Sequence, residues 1–93
     1  MSYYSKEARM ISARGVVVGR TLIERGYRDH YPDSDSMGKL EFPDCHIVDY
    51  GHGVATAEIE WKIGDSSGYS LLVIKIEEDG ESRVVSEMGV LKA

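Results

Sequence analysis

The chain has 93 residues, of which 42% are hydrophobic and 29% charged, and its formal net charge is −5. This length supports a single hydrophobic core, the balance is that of a folded domain rather than a disordered one, and the acidity argues against non-specific nucleic-acid binding, which needs Lys and Arg to displace counterions from phosphates. The lone Cys45 excludes an internal disulfide and suits a reducing compartment, so the expectation is a cytoplasmic protein. The longest apolar runs, residues 16–18 and 71–74, fall far short of a membrane span, and the first residues lack the pattern of a secretory leader.

From residue 4, Tyr4, Ala8, Ile11, Gly15, Val18 and Leu22 recur at spacings of four and three, which predicts one helix over about 4–25 with Gly26 at its C-terminal cap. Gly15 and Gly19 bracket three valines, and glycine and β-branched residues both weaken a helix interior. A break there, or a short strand, is the alternative. Residues 1–28 hold six basic side chains against two acidic ones, a charge of +4, which leaves −9 for the rest.

Residues 27–38 have no apolar period and are rich in turn-forming types, which predicts a loop of about a dozen residues. The period then becomes two. Ala55, Ala57, Ile59, Trp61 and Ile63 point one way while Thr56, Glu58, Glu60 and Lys62 point the other, as in a half-buried strand. A strand over residues 45–50 precedes it through the turn Gly51-His52-Gly53; a turn at 64–68, a strand at 69–77, a tight hairpin at Glu78-Asp79-Gly80 and a return strand at 83–91 follow. The expected fold is a single α+β domain over 1–93, with the N-terminal helix packed on an antiparallel three- to four-stranded meander over about 45–91. Leu72, Ile74 and Ile76 point one way and Leu71 and Val73 the other. Either both faces of this strand are packed, or Leu71, Val73 and a neighbour such as Val85 form an exposed patch.

The candidate motifs fail for specific reasons. Residues 33–44 open like a calcium loop, with Asp33, Asp35, Gly38 and Asp44 at suitable positions, but Met37 occupies a ligand position and strand-like sequence replaces the exiting helix. A solvated acidic turn is the preferred reading, and a cation site there the alternative. His30, Cys45, His46 and His52 lack metal-ligand spacing, and adjacent Cys45 and His46 point to opposite sides of a strand. No nucleophile elbow, cysteine-enzyme context or phosphate-cradling glycine loop is present, so neither catalytic residue nor cofactor is expected.

Charge distribution is what remains. The leading expectation is a non-enzymatic, acidic protein-binding module for a partner with a basic surface, contacting it through Tyr31, Asp33, Asp35, Glu58, Glu60, Glu78, Asp79 and Glu81. Size and charge are in keeping with small inhibitors of the phage or mobile-element type, or with a DNA mimic that occupies a nucleic-acid-processing enzyme; no motif aligns with one, so the likeness is one of class. Direct nucleic-acid or membrane binding is not expected. The alternative is an assembly protein, a small homo-oligomer formed through an apolar sheet face or through the helix with its Gly15 and Gly19 surface.

Overall fold

The computed structural model describes residues 3–30 and 40–92. Its elements are, in chain order, β1 (Tyr4–Ser12), β2 (Gly15–Val18), α1 (Arg20–His30), β3 (Leu40–Gly51), β4 (Val54–Ile63), β5 (Ser66–Ile76) and β6 (Ser82–Leu91). The strands form one six-stranded sheet in the order β2-β1-β6-β5-β4-β3, and α1 packs on its β1 and β2 end. The α+β class and the meander over β3 to β6 are as the sequence predicts. The N-terminal third is not.

Residues 4–12 are a strand, paired antiparallel with β2 and parallel with β6, so the expected helix over 4–25 and the count of three to four strands are both corrected. Helical spacing in this segment is a coincidence of an irregular strand. Between Tyr4, opposite Val84, and Arg9, opposite Ser86, five steps of β1 run against two of β6, and so large a bulge destroys the period of two. The three valines then behave as β-branched residues usually do and form β2. Gly15 and Gly19 have φ values of +123° and +99°, which side-chain-bearing residues rarely adopt, so they end β2 and do not form a helix surface.

Helix α1 starts directly after, with the carbonyl of Gly19 accepting from the N–H of Ile23 at 3.1 Å. It continues through Gly26, where the sequence suggested a stop, to His30. Among the described residues the buried hydrophobic side chains are Ala8, Ile23 and Ala57. Ile23 is the anchor of α1. No helix among the described residues is long and apolar enough to cross a membrane.

Strand pairing sorts the side chains onto two faces. Tyr27 of α1 reaches Glu87, and across the sheet Glu87 lies opposite Leu72, Leu72 opposite Ala57, and Ala57 opposite Ile47. That row, with Ile59, Trp61 and Ile74 beside it, defines the helix face. Leu71, Val73, Glu58 and Glu60 lie on the other, open face.

Candidate functional site

On the open face, cross-strand register builds one continuous row: Val16 opposite Ile11, Ile11 opposite Met88, Met88 opposite Leu71, Leu71 opposite Glu58, and Glu58 opposite His46. The four apolar members come from β2, β1, β6 and β5, and each is between 36% and 51% exposed. Val90 and Tyr69, opposite each other, add two more exposed side chains one step along the strands. The patch suspected at Leu71 is therefore a belt spanning four strands. Val85, suggested as its third member, lies instead within the irregular stretch of β6 between Val84 and Ser86.

Carboxylates gather where the belt ends. Glu60 lies opposite both Tyr69 and Asp44, and Glu58 lies beside it on the same face, so three acidic groups share the corner formed by β3 and β4. Like charges directly opposite one another repel. Lys92 relieves this by pairing with Glu60, while its ammonium sits 5.1 Å from the centre of the Tyr69 ring. Hydrogen bonding to Glu60 is the chief reason that the Lys92 ammonium holds its proton more tightly than usual.

The second predicted acidic group lies elsewhere. Glu78, Asp79 and Glu81 occupy the turn between β5 and β6, beyond the end of β5 at Ile76 and so roughly 20 Å from Leu71 at strand spacing. Asp79 is engaged within the chain: Arg83 Nη2 pairs with its Oδ2 at 2.7 Å, and Arg83 Nη1 donates to Glu77 Oε1 at 3.0 Å. Ser5, almost wholly buried on β1, donates to Glu77 Oε2 at 2.8 Å, which fastens the hairpin to the first strand. These groups line a groove of about 640 Å³ together with Glu7, Glu78 and Lys75. Tyr31, Asp33 and Asp35 lie outside the described residues.

The hairpin carries a pH dependence. Hydrogen bonds, from Ser5 first for Glu77 and from Arg83 first for Asp79, hold both carboxyls below their ordinary range. A carboxyl depressed in the folded state contributes stability above its unfolded pKa, and that contribution disappears as pH falls through the folded value. The protection of the hairpin amides, relative to the exchange rate of unstructured chain at the same pH, is therefore expected to fall below about pH 4, with Arg83→Gln weakening that pH dependence and leaving the part due to Ser5 and Glu77. Protection factors that stay constant from about pH 6 to about pH 2.5 would show that the triad is not what holds the turn.

On the helix face sits a cluster that the sequence did not reveal. Tyr4 donates to Glu87 Oε1 at 2.8 Å and Tyr27 to Glu87 Oε2 at 3.3 Å, and the two rings stack with centroids 6.5 Å apart. Burial, then the charge on Glu87, pushes the Tyr4 phenol far above its usual range. The cluster ties α1 to β1 and β6 by polar bonds. Further along this face the N–H of Trp61 donates to Ser70 Oγ at 3.0 Å, with the indole lying over Gly68.

Among the described residues, no three His, Cys, Asp or Glu side chains come together to hold a metal ion. Asp44, the last acid of the calcium-like stretch, is in β3, where its carboxylate accepts from the N–H of Cys45. Asp49 does the same for Gly51, so two donors of this edge strand are taken by its own side chains.

No family model matches the chain, and no curated protein matches it in sequence. Solved structures do match in fold. An NTF-2-like protein of unknown function from Shewanella oneidensis is 20% identical with a TM-score of 0.82, over 95% of this chain and 77% of its own. A protein with a cystatin-like fold from Caulobacter vibrioides is 13% identical with a TM-score of 0.81, over 98% and 72%. A ketosteroid isomerase-like protein from Erwinia carotovora atroseptica is 8% identical with a TM-score of 0.77, over 98% and 77%. The chain therefore has an NTF2-like, cystatin-like architecture, in which the helix α1 packs on a mostly antiparallel sheet. At such identities the fold is what is shared.

Proposed function

We propose that the protein is a non-enzymatic protein-binding module that works through the open sheet face. The observation that carries this reading is the belt of Val16, Ile11, Met88 and Leu71, exposed on four adjacent strands and ending on Glu58 and Glu60. Exposed apolar surface of this continuity is typical of docking surfaces, with the aromatic Tyr69 as an anchor and the carboxylates as a rim that selects charge. The fitting partner has an apolar ridge flanked by basic groups. A net charge of −5 favours encounter with a basic surface, such as the cleft of a nucleic-acid-processing enzyme, which such a module would inhibit by occupying it.

The experiment is affinity capture on immobilised wild-type protein at low and high salt, repeated with Leu71→Glu/Met88→Glu. A captured protein should bind the double variant at least tenfold more weakly, and binding to the wild type should weaken as salt rises. Equal binding by the double variant would remove the belt from the account. Salt-independent binding would remove the acidic rim.

A further inference from the structure

Beside the belt, on the same open face, runs a second row. Val90 lies opposite Tyr69, Tyr69 opposite Glu60, and Glu60 opposite Asp44, so the row passes from apolar to aromatic to acidic as it crosses from β6 to β3. Lys92 follows directly on β6. Its backbone N–H donates to the carbonyl of Ser67 at 2.9 Å, and its ammonium pairs with Glu60 while standing 5.1 Å from the centre of the Tyr69 ring. The molecule thus already holds one cation on a carboxylate and an aromatic ring together. This combination selects ammonium and guanidinium groups, the carboxylate supplying charge and acceptor atoms and the ring its electron-rich face.

Lys92 does not exhaust this seat. Asp44, Glu58 and Glu60 share the corner, so three carboxylates face one ammonium, while Lys62, next along β4 on the same face, stands opposite Glu41. The side chains of Lys92 and Glu60 remain 36% and 25% exposed. An ion pair so placed contributes little net stability, because water competes for both charges and a long side chain gives up rotamer freedom to hold one geometry. Only that side chain has to move, since the bond to Ser67 is made by the Lys92 backbone. Tyr69 is half-exposed and offers ring surface to an arriving planar group.

We infer that Tyr69 and Glu60 receive an arginine side chain of the partner, and that Lys92 is the resident cation it displaces. This rests on the reading of the open face as a docking surface and deepens it. A guanidinium is planar, forks two hydrogen bonds onto one carboxylate and lies flat on an aromatic ring, whereas an ammonium is compact and strongly hydrated and does each of these less well. The surplus of negative charge at the corner draws the arginine in. Register sets its distance from the belt. Tyr69 is two residues from Leu71 on the same face of β5, roughly 7 Å, so the partner presents its arginine about that far from the apolar side chain that rests on Leu71 and Met88. Lys92 then acts as a filter: an apolar surface without an arginine leaves it in place and gains the belt alone.

Selection of a displayed library of random linear peptides on the immobilised wild-type protein tests this, followed by fluorescence anisotropy with a synthetic copy of an enriched peptide. Enriched sequences are expected to combine a large apolar residue with an arginine. The peptide should bind roughly tenfold more weakly when its arginine is replaced by citrulline, which keeps the shape and removes the charge, and likewise when the protein carries Glu60→Gln. Lys92→Gln should bind the same peptide about threefold more tightly, because the competing cation is gone. Enriched peptides that are apolar and lack arginine would overturn the inference while leaving the belt as the docking surface. So would equal binding of the citrulline peptide, equal binding by Glu60→Gln, or weaker binding by Lys92→Gln, which would make Lys92 part of the site rather than its competitor. Arginine peptides that bind Leu71→Glu/Met88→Glu as tightly as the wild type would keep the arginine site and remove the belt. A library that yields no enriched peptide would remove both.

Discussion

Gly68→Ala is expected to destabilise the protein by about 3 kcal/mol or more, lowering its thermal midpoint by roughly 15 °C, although only a methyl group is added. Gly68 is buried, paired with Leu91 of β6 and Trp61 of β4. A Cβ there would collide with the carbonyl oxygen of Val90 and approach Trp61 Cζ2 to 2.6 Å. The carbonyl belongs to the backbone of the paired strand, so relief requires the strands themselves to shift. The indole cannot simply turn aside either, because its N–H is committed to Ser70 Oγ. A melt followed by circular dichroism measures the loss, and tryptophan fluorescence should shift as the indole is displaced. A change in midpoint below about 3 °C would show that β5 and β6 separate easily.

Ile23→Ala should cost about 2–5 kcal/mol, the range for removing most of a buried aliphatic side chain. Ile23 is 2% exposed, and it is the one large aliphatic among the three buried hydrophobic residues of the described chain. With so few enclosed side chains there is little surrounding mass to collapse into the space. Helix α1 would then depend on polar ties, Tyr27 to Glu87 and the 3.5 Å bond from Arg20 to the carbonyl of Tyr4. Urea unfolding gives the magnitude. A loss below about 1 kcal/mol would mean that those ties, rather than Ile23, hold the helix.

The sequence disclosed those elements whose periodicity is uninterrupted. Strand β4 pairs with β5 without irregularity from Val54 to Ile63, so Glu58 and Glu60 were legible as one face and Ala57 and Trp61 as the other. Strand β1 was illegible because its bulge against β6 shifts Tyr4 and Arg9 out of phase, and the remaining apolar residues fall at helical spacings by chance. Gly26 misled in the opposite sense, since glycine costs a helix only about 1 kcal/mol and tertiary packing by Ile23 on the preceding turn offsets that. The belt shared this fate. Leu71 was suspected from its own strand, but Ile11 and Val16 join it only through a parallel pairing that no local pattern announces. Asp79 was legible as an exposed acid; its engagement by Arg83 depends on side-chain geometry four residues away.

That parallel pairing also orders the assembly of the molecule. Tyr4 and Glu87, joined by a hydrogen bond, are 83 positions apart, whereas the turns of the meander from β3 to β6 join neighbouring strands. Closing so long a loop costs about 3–4 kcal/mol in chain entropy before any contact compensates it, and contacts of this separation form slowly. The meander is therefore expected to pair first, on local contacts, with the N-terminal hairpin and α1 laid onto β6 afterwards; φ-values high in β4 and β5 and low in β1 would bear this out, and the reverse would overturn it. Val16 and Ile11 belong to that hairpin, so on this order half of the four apolar members of the exposed belt join Met88 and Leu71 only late in folding.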